Sequence, residues 1–336
     1  MSTINTSAEP RTYRRAVVIG AGAVGSHLAS SLRHPTPLLV IDTDERVRAA
    51  FVTQGADAAA PADFRVSSGP RTSFQQGDVA IIATSAARAV SVASTIPAFV
   101  PIVCVSNGLN TSLSRDREGG MDFGVVEFAA SCPAPGQAVC TRAGWLTMSR
   151  RSPAATWFAG TLDPTRQPAR LVTDLDSHQR GKLMLNASLD PVAAVIGGSL
   201  GAVFQSRASF RAFRALLSES LDVARASGWR LSSVQGMTPA SMRRIFATPL
   251  FGSLAAHIAG RQANHVESTL AREIARGDIG DIGELDQLCG AIVRQGESVN
   301  IKTPAHQRAI EVLSRLTRQG TLGRPELARE LVGGDR

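Results

Sequence analysis

Ala16-Val17-Val18-Ile19-Gly20-Ala21-Gly22-Ala23-Val24-Gly25 is the stretch that decides the fold. A short apolar run rich in β-branched residues leads directly into glycines spaced G-x-G-x-x-G, and a helical pattern opens behind them. Each glycine answers a separate demand. Gly20 permits a tight turn, Gly22 lets the backbone approach a pyrophosphate, and Gly25 lets helix and strand pack closely. Free N–H groups at the helix start then face the phosphates, so Gly20, Ala21, Gly22, Ala23, Val24 and Gly25 read as one dinucleotide-binding loop. A second run, Leu38-Leu39-Val40-Ile41, closes on Asp42. A carboxylate there accepts hydrogen bonds from the adenosine ribose and repels a 2′-phosphate, which favours NADH over NADPH. Arg46 and Arg48 follow closely and could pair with such a phosphate. The structural alternative for Asp42 is to cap the turn Asp42-Thr43-Asp44-Glu45.

Outward from this loop the apolar runs continue at residues 78–84 and 102–106, spaced by helix-length segments. Unbroken runs of this kind predict central strands of a parallel sheet covered on both faces. Residues 125–130, 138–142, 145–148 and 156–158 follow one another with Gly and Pro between them and predict an antiparallel extension of that sheet. After Thr173 strand signals vanish. Helical apolar spacing runs over 180–196, 209–227, 239–246, 266–276, 284–295 and 304–319, with Pro239 and Pro304 as first-turn prolines. The expected architecture is α/β: a Rossmann-type N-terminal domain with an antiparallel extension, followed by an all-helical C-terminal domain. Residues 1–14 read as a loose tail, 15–173 as the dinucleotide-binding domain and 174–336 as a helical substrate and dimerisation domain, with a cleft between the two.

Composition narrows the function classes. The chain has 336 residues, length for about two domains, and 43% hydrophobic against 19% charged residues marks it as globular. Formal net charge is +8, but the arginines are dispersed without aromatic interleaving, so anionic ligands are expected and nucleic acid is not. The four cysteines, Cys104, Cys132, Cys140 and Cys289, lack metal-ligand spacing; no metal is expected, and they read as reduced core thiols of a cytoplasmic protein. The opening residues carry no apolar signal core, and no uninterrupted apolar stretch reaches the roughly 18 residues a membrane span needs.

Lysine usage singles out one residue. The chain has 34 Arg and only two Lys, Lys182 and Lys302. Where positive charge alone is needed, Arg has taken the place; Lys182 remains at the start of a helical pattern, with Asn186 and Asp190 on the same face at i+4 and i+8. A partly buried ammonium shifts its pKa and can donate a proton, which a guanidinium cannot practically do. Three polar groups in an otherwise apolar helix are costly to bury without a role. Ser106-Asn107-Gly108-Leu109-Asn110 follows a parallel strand at its C-terminal end, where cofactor and substrate meet in such sheets. Glu284 opens a further helix, where the macrodipole alone already favours a carboxylate.

These segments together resemble the ketopantoate reductases (2-dehydropantoate 2-reductases) from about Arg15 to Leu316. The resemblance rests on the glycine loop, the Ser106-Asn107-Gly108-Leu109 turn and the Lys182-x-x-x-Asn186 helix followed by Pro191. It also rests on the helix carrying Glu284, Asp286, Gly290, Val293 and Arg294, with Thr303-Pro304 beyond it. It implies an NADH- or NADPH-dependent reductase of a 2-oxo acid, in family terms a step of pantothenate biosynthesis. By resemblance, Lys182 polarises the oxo group and supplies the proton, and Asn107 and Asn186 orient substrate and nicotinamide. Glu284 anchors Lys182 or a substrate hydroxyl, Thr269 hydrogen-bonds the substrate carboxylate, and Thr84 lies by the cofactor. The helical domain is the expected place for a homodimer contact.

The chain departs from the family pattern in four places. An acid, Asp42, ends the second strand. Ser85-Ala86-Ala87-Arg88 stands where the family has a lysine. Asp190 replaces an asparagine beside the proline. The link 277–283 is about three residues long in excess, which makes Asp281 a rival to Glu284. These departures point to a related substrate, with an imine or an amine-bearing oxo compound, held by Asp190, as the alternative. A non-catalytic NAD(H)-binding regulator is the remaining reading, and retention of Lys182 argues against it.

Overall fold

The structure, a computed structural model, describes residues 12–44, 46, 63–64, 74–105, 118–134, 136–233, 237–247, 268, 270–271, 283–319, 323 and 325–333. Strands β1 (Arg15–Ile19), β2 (Leu38–Ile41), β3 (Asp63–Phe64), β4 (Asp78–Ile82), β5 (Ile102–Cys104) and β6 (Met121–Val126) are parallel neighbours. With β9 (Leu146–Ser149) and β10 (Ala169–Val172) the sheet has eight strands in the order β10-β9-β6-β5-β4-β1-β2-β3. Its apolar runs are unbroken because both faces are covered. Ala16, Val18, Val40, Val79 and Ile81 pack on one side with Leu28 of α1 (Ala23–Ser30) and Phe158. Val17, Ile19, Leu39, Ala80 and Ile82 pack on the other with Ala89 of α2 (Ala86–Thr95).

The antiparallel part differs from the sequence expectation. Strand β9 (Leu146–Ser149) runs antiparallel to β6, but β10 (Ala169–Val172), unforeseen, pairs parallel to β9. Strands β7 (Ala129–Ala134) and β8 (Gln137–Arg142) form a separate two-stranded hairpin against α1. That hairpin leaves Cys140 exposed and Cys132 half-buried, so only Cys104 and Cys289 are core thiols; all four are free. Residues 156–158, expected as a strand, lie inside α3 (Pro153–Thr161). The reason is local. Ser152 accepts from the Ala155 N–H at 3.1 Å and Pro153 occupies the first turn, a start signal that outweighs the β propensity of Thr156 and Trp157.

Helices fill the second half. Helix α4 (Leu175–Ile196) begins five residues before its apolar spacing suggests, because Asp174 caps it by accepting from the Ser177 N–H at 3.2 Å. It is followed by a 3-10 turn (Leu200–Phe204), α5 (Arg207–Ala226) and α6 (Pro239–Ala247). Helix α7 has three parts, Gly283–Leu285, a π-helical turn Asp286–Gly290 and Ala291–Ser298; α8 (Pro304–Gln319) keeps its expected bounds. A final 3-10 segment spans Pro325–Val332. Of the expected helix over 266–276, only residues 268, 270 and 271 are described.

Pro191 lies inside α4, so it cannot donate to the carbonyl of Ala187 four residues earlier. The thiol of Cys289, on the π-helical turn, donates to that carbonyl at 3.7 Å instead. The proline thereby ties α4 to α7 next to Asp190. Among the described residues no helix is long and apolar enough to cross a membrane.

Candidate active site

The glycine loop has the geometry its spacing implies. Gly20 adopts φ 91°, and a side chain there would press against Thr84 and the Ala83 carbonyl. A side chain on Gly25 would run into the Gly20 carbonyl oxygen. Gly22 is the opposite case: it is exposed, and a Cβ added there meets nothing within 4 Å. It is also the N-cap of α1, without a side-chain cap and with no acid in the first turn. The unshared N–H groups of that turn therefore open onto clear space, the cradle a pyrophosphate requires, and the loop fits a dinucleotide.

Asp42 accepts from the Ala21 N–H at 2.6 Å through Oδ2 and from the Asp44 N–H at 2.8 Å through Oδ1. It closes the turn that the structural alternative named, and fastens the glycine loop to β2 as well. A carboxylate has about four lone-pair sites, so these two bonds leave capacity for a ribose hydroxyl. Arg46 is held by Asp44 at 2.7 Å and is largely exposed; Arg48 lies outside the described residues. Thr84, beside Gly20, donates to the Ser85 carbonyl at 3.3 Å.

Helix α4 carries a polar stripe, His178, Lys182, Asn186 and Asp190, one residue per turn on a single face. A strip of Lys182 stays accessible, yet protein closes around its ammonium. Desolvation brings its pKa from 10.5 down to about 8, against the opposing pull of Asp190, Glu284 and Glu127; the charge of Arg142 adds to the lowering. Asp190 is 4% exposed, and burial lifts its carboxyl to about 6, opposed by a hydrogen bond from Ser268 and by the charge of Lys182. Between those two values both groups are ionised. Ser268 also donates to the Asp190 backbone carbonyl at 3.4 Å. Glu284 is 5% exposed, and its short helical segment packs against α2, which follows β4. More than helix-end service is involved, since its charge reaches Lys182.

Lys182, Asp190 and Glu284 are thus brought together. Asn186 lies between Lys182 and Asp190 on the stripe and is half-buried. Asn107, Thr269 and Asp281 lie outside the described residues, as does most of the 277–283 link. Asp286 and Arg294 form an exposed ion pair at 2.6 Å that lies over Gly290, where an added Cβ would meet the Asp286 carboxylate.

Sequence reading missed Ser268, next to the expected Thr269, and the group around Glu127. Glu127 follows β6 at the carboxyl edge of the sheet, the edge that also bears Gly20, Asp42 and Thr84. It is paired to Arg170 at 2.7 Å and accepts from Thr147 Oγ1 at 2.8 Å. His178 carried a signal, since it extends the i, i+4, i+8 series by one turn toward the N-terminus. Glu127 carried none beyond an acid between apolar residues.

The family model described as Ketopantoate reductase PanE/ApbA matches residues 16–153, and that described as Ketopantoate reductase PanE/ApbA C terminal matches residues 174–317. No curated protein matches the sequence. Among solved structures, a PanE/ApbA family ketopantoate reductase from Ralstonia eutropha JMP134 is similar, with a TM-score of 0.71 and 22% identity, covering 91% of this chain and 99% of that one. A ternary structure of D-mandelate dehydrogenase with NADH and anilino(oxo)acetate gives a TM-score of 0.67 at 16% identity, with 91% and 99% covered. A dimeric ketopantoate reductase from Staphylococcus aureus gives 0.63 at 16% identity, again with 91% and 99% covered. At such identities the likeness is one of fold.

Proposed function

Because the chain belongs to the ketopantoate reductase family, we propose that it is a nicotinamide-dependent reductase converting a 2-oxo acid to the 2-hydroxy acid, with Lys182 as general acid. The observation that carries this reading is the placement of Lys182 with the buried carboxylates Asp190 and Glu284, on a helix packed against β6 and β9; burial lowers the ammonium's pKa accordingly. The loop from Gly20 to Gly25 holds the pyrophosphate and Asp42 the ribose, with Thr84 and Asn107 beside the cofactor. When bound, a nicotinamide cofactor supplies the hydride.

The remaining work belongs to the chain. Addition of hydride to the carbonyl carbon leaves charge on oxygen, and the Lys182 ammonium within reach of that oxygen neutralises it by giving up one proton. Burial makes that proton easier to release than from a solvated lysine, while Asp190 and Glu284 keep the group charged before the reaction. Lys182 then regains its proton from solvent. Asn186 and Thr269 orient the substrate; Glu284 anchors Lys182 or a substrate hydroxyl. Residues 15–173 serve the cofactor and 174–336 the substrate, and the helical part is the proposed homodimer surface.

A second reading draws on Asp190. A buried carboxylate ionised at neutral pH, with Lys182 as the cation acting on it, suits a substrate carrying an amine or iminium. Nicotinamide oxidation followed with NADH and NADPH, across 2-oxo acids with and without an amino group and including ketopantoate, tests both. Turnover of simple oxo acids supports the first reading, and turnover confined to aminated ones supports the second. Cofactor binding without turnover of any would leave the non-catalytic regulator.

A further inference from the structure

Glu127 is a carboxylate for which the proposed reaction has no use, yet four elements hold it. Its side chain is 12% exposed. Thr147 on β9 donates to Oε2 at 2.8 Å, and Arg170 on β10 donates to the same oxygen at 2.7 Å. Arg170 also bonds Thr147 Oγ1 at 3.1 Å and lies over the Trp145 ring at 5.8 Å, so its own place is fixed. His178 on α4 brings Nδ1 to 3.4 Å from Arg170 Nη2, and to 4.0 Å from Oε1, beyond hydrogen-bond reach. Arg142 on β8 reaches the Glu127 backbone carbonyl at 3.5 Å. Burial alone would push this carboxyl up, but the neighbouring His178, the Thr147 hydrogen bond and the charge of Arg170 hold it below the usual range.

His178 is one helical turn, about 6 Å along the axis, before Lys182 on the same face. The groups that face Lys182 are therefore Asp190 from its own helix, Glu284 from α7, and Glu127 and Arg142 from the sheet side. Asp190 and Glu284 belong to the helical half. Glu127 is the carboxylate supplied by the Rossmann-type half.

We propose that Glu127 is a positioning residue of this active centre: seated by Thr147 and Arg170 at the carboxyl edge of the sheet, and latched to α4 through the contact of Arg170 with His178, it holds the nucleotide-binding half against the helix bearing Lys182. The proposal rests on the reading of Lys182 as proton donor. It differs from a purely structural salt bridge in one respect: the charge on Glu127 must be felt at Lys182.

The chain has only two lysines, so protein labelled with 13C at lysine Cε gives two side-chain resonances, and Lys302, which is exposed, is an internal control. In Glu127→Gln the size and the hydrogen-bonding oxygen stay while the charge goes. The Lys182 midpoint is expected to move down by roughly one unit, with Lys302 unmoved. Arg170→Gln leaves the Glu127 charge less neutralised, and the Lys182 midpoint is expected to rise. A structural role alone would loosen and hydrate the site in both variants and move both midpoints up, toward 10.5. Shifts of the same sign, or no shift in either, overturn the proposal; where Glu127→Gln fails to fold, a Lys182 midpoint in Arg170→Gln at or below the wild-type one does so.

The resonance needs no substrate. Opposite shifts without turnover of any oxo acid would leave the latch standing and remove the reductase reading. Turnover with unresponsive midpoints would do the reverse.

Discussion

At Lys182 two requirements oppose one another. A proton donor must be charged before the reaction and willing to lose the charge during it. Burial supplies the second property, three carboxylates the first, and the balance falls at about 8. Reduction is therefore expected to proceed at full rate below pH 8 and to fall tenfold per unit above it, as the log of kcat/KM against pH would show. Lys182→Ala should lower kcat by about a hundredfold or more with the cofactor Kd nearly unchanged. A loss of only a few-fold would remove the general-acid role. At Asp42 a single carboxylate seats the Ala21 N–H, and the proposed function asks it to hold the ribose as well. Asp42→Ala is expected to narrow the preference for NADH over NADPH, measured as the ratio of kcat/KM values; a native preference for NADPH would contradict the reading of Asp42.

At the scale of elements, one junction sets the nucleotide loop and another holds the helical half together. The first is the turn between β1 and α1, where Gly25 abuts the Gly20 carbonyl. Gly25→Ala must push helix from strand, so nucleotide affinity is expected to fall sharply, and calorimetric titration with NADH would register it. The second is the contact of α5 with the start of α8. Glu219 accepts from the Ala305 N–H at 2.8 Å, the His306 N–H at 3.1 Å and His306 Nδ1 at 2.9 Å, so one side chain caps α8 and holds the buried His306. Glu219→Ala should cost about 1–3 kcal/mol, seen as a lowered Tm, because the N–H groups and the imidazole lose their acceptor together.

For the whole molecule, the polar face of α4 is a place where stability is given up. Lys182 has a folded pKa below its unfolded value of 10.5, so its unfavourable contribution is complete below about pH 8 and disappears as pH rises from there to 10.5. Asp190 has a folded pKa of about 6, above its unfolded 3.8, so its unfavourable contribution appears as pH rises from 3.8 and is complete above 6. Asp190→Asn is therefore expected to raise Tm at pH 7, with the gain vanishing by about pH 4; thermal scans across that range check it. An unchanged Tm at pH 7 would mean that Asp190 is already matched by a partner in the free protein.

The sequence by itself determined the parallel sheet, the glycine loop and the helical second half. Each is written in residues close together in the chain: β-branched runs between glycines, and apolar residues at helical spacing. It also determined that Lys182, Asn186 and Asp190 share a face, since four residues make one turn of helix. Tertiary structure alone decided what surrounds that face. Glu127 comes from beyond β6, Arg170 from β10, Ser268 from beyond α6 and Glu284 from α7, and no local pattern states that these meet. It also decided that the hairpin β7–β8 leaves the sheet and that Cys289 answers the carbonyl freed by Pro191. The physical reason is range. Backbone preference acts over a turn or a strand, whereas the pKa of a buried group depends on every charge that folding brings within a few ångströms, from anywhere in the chain.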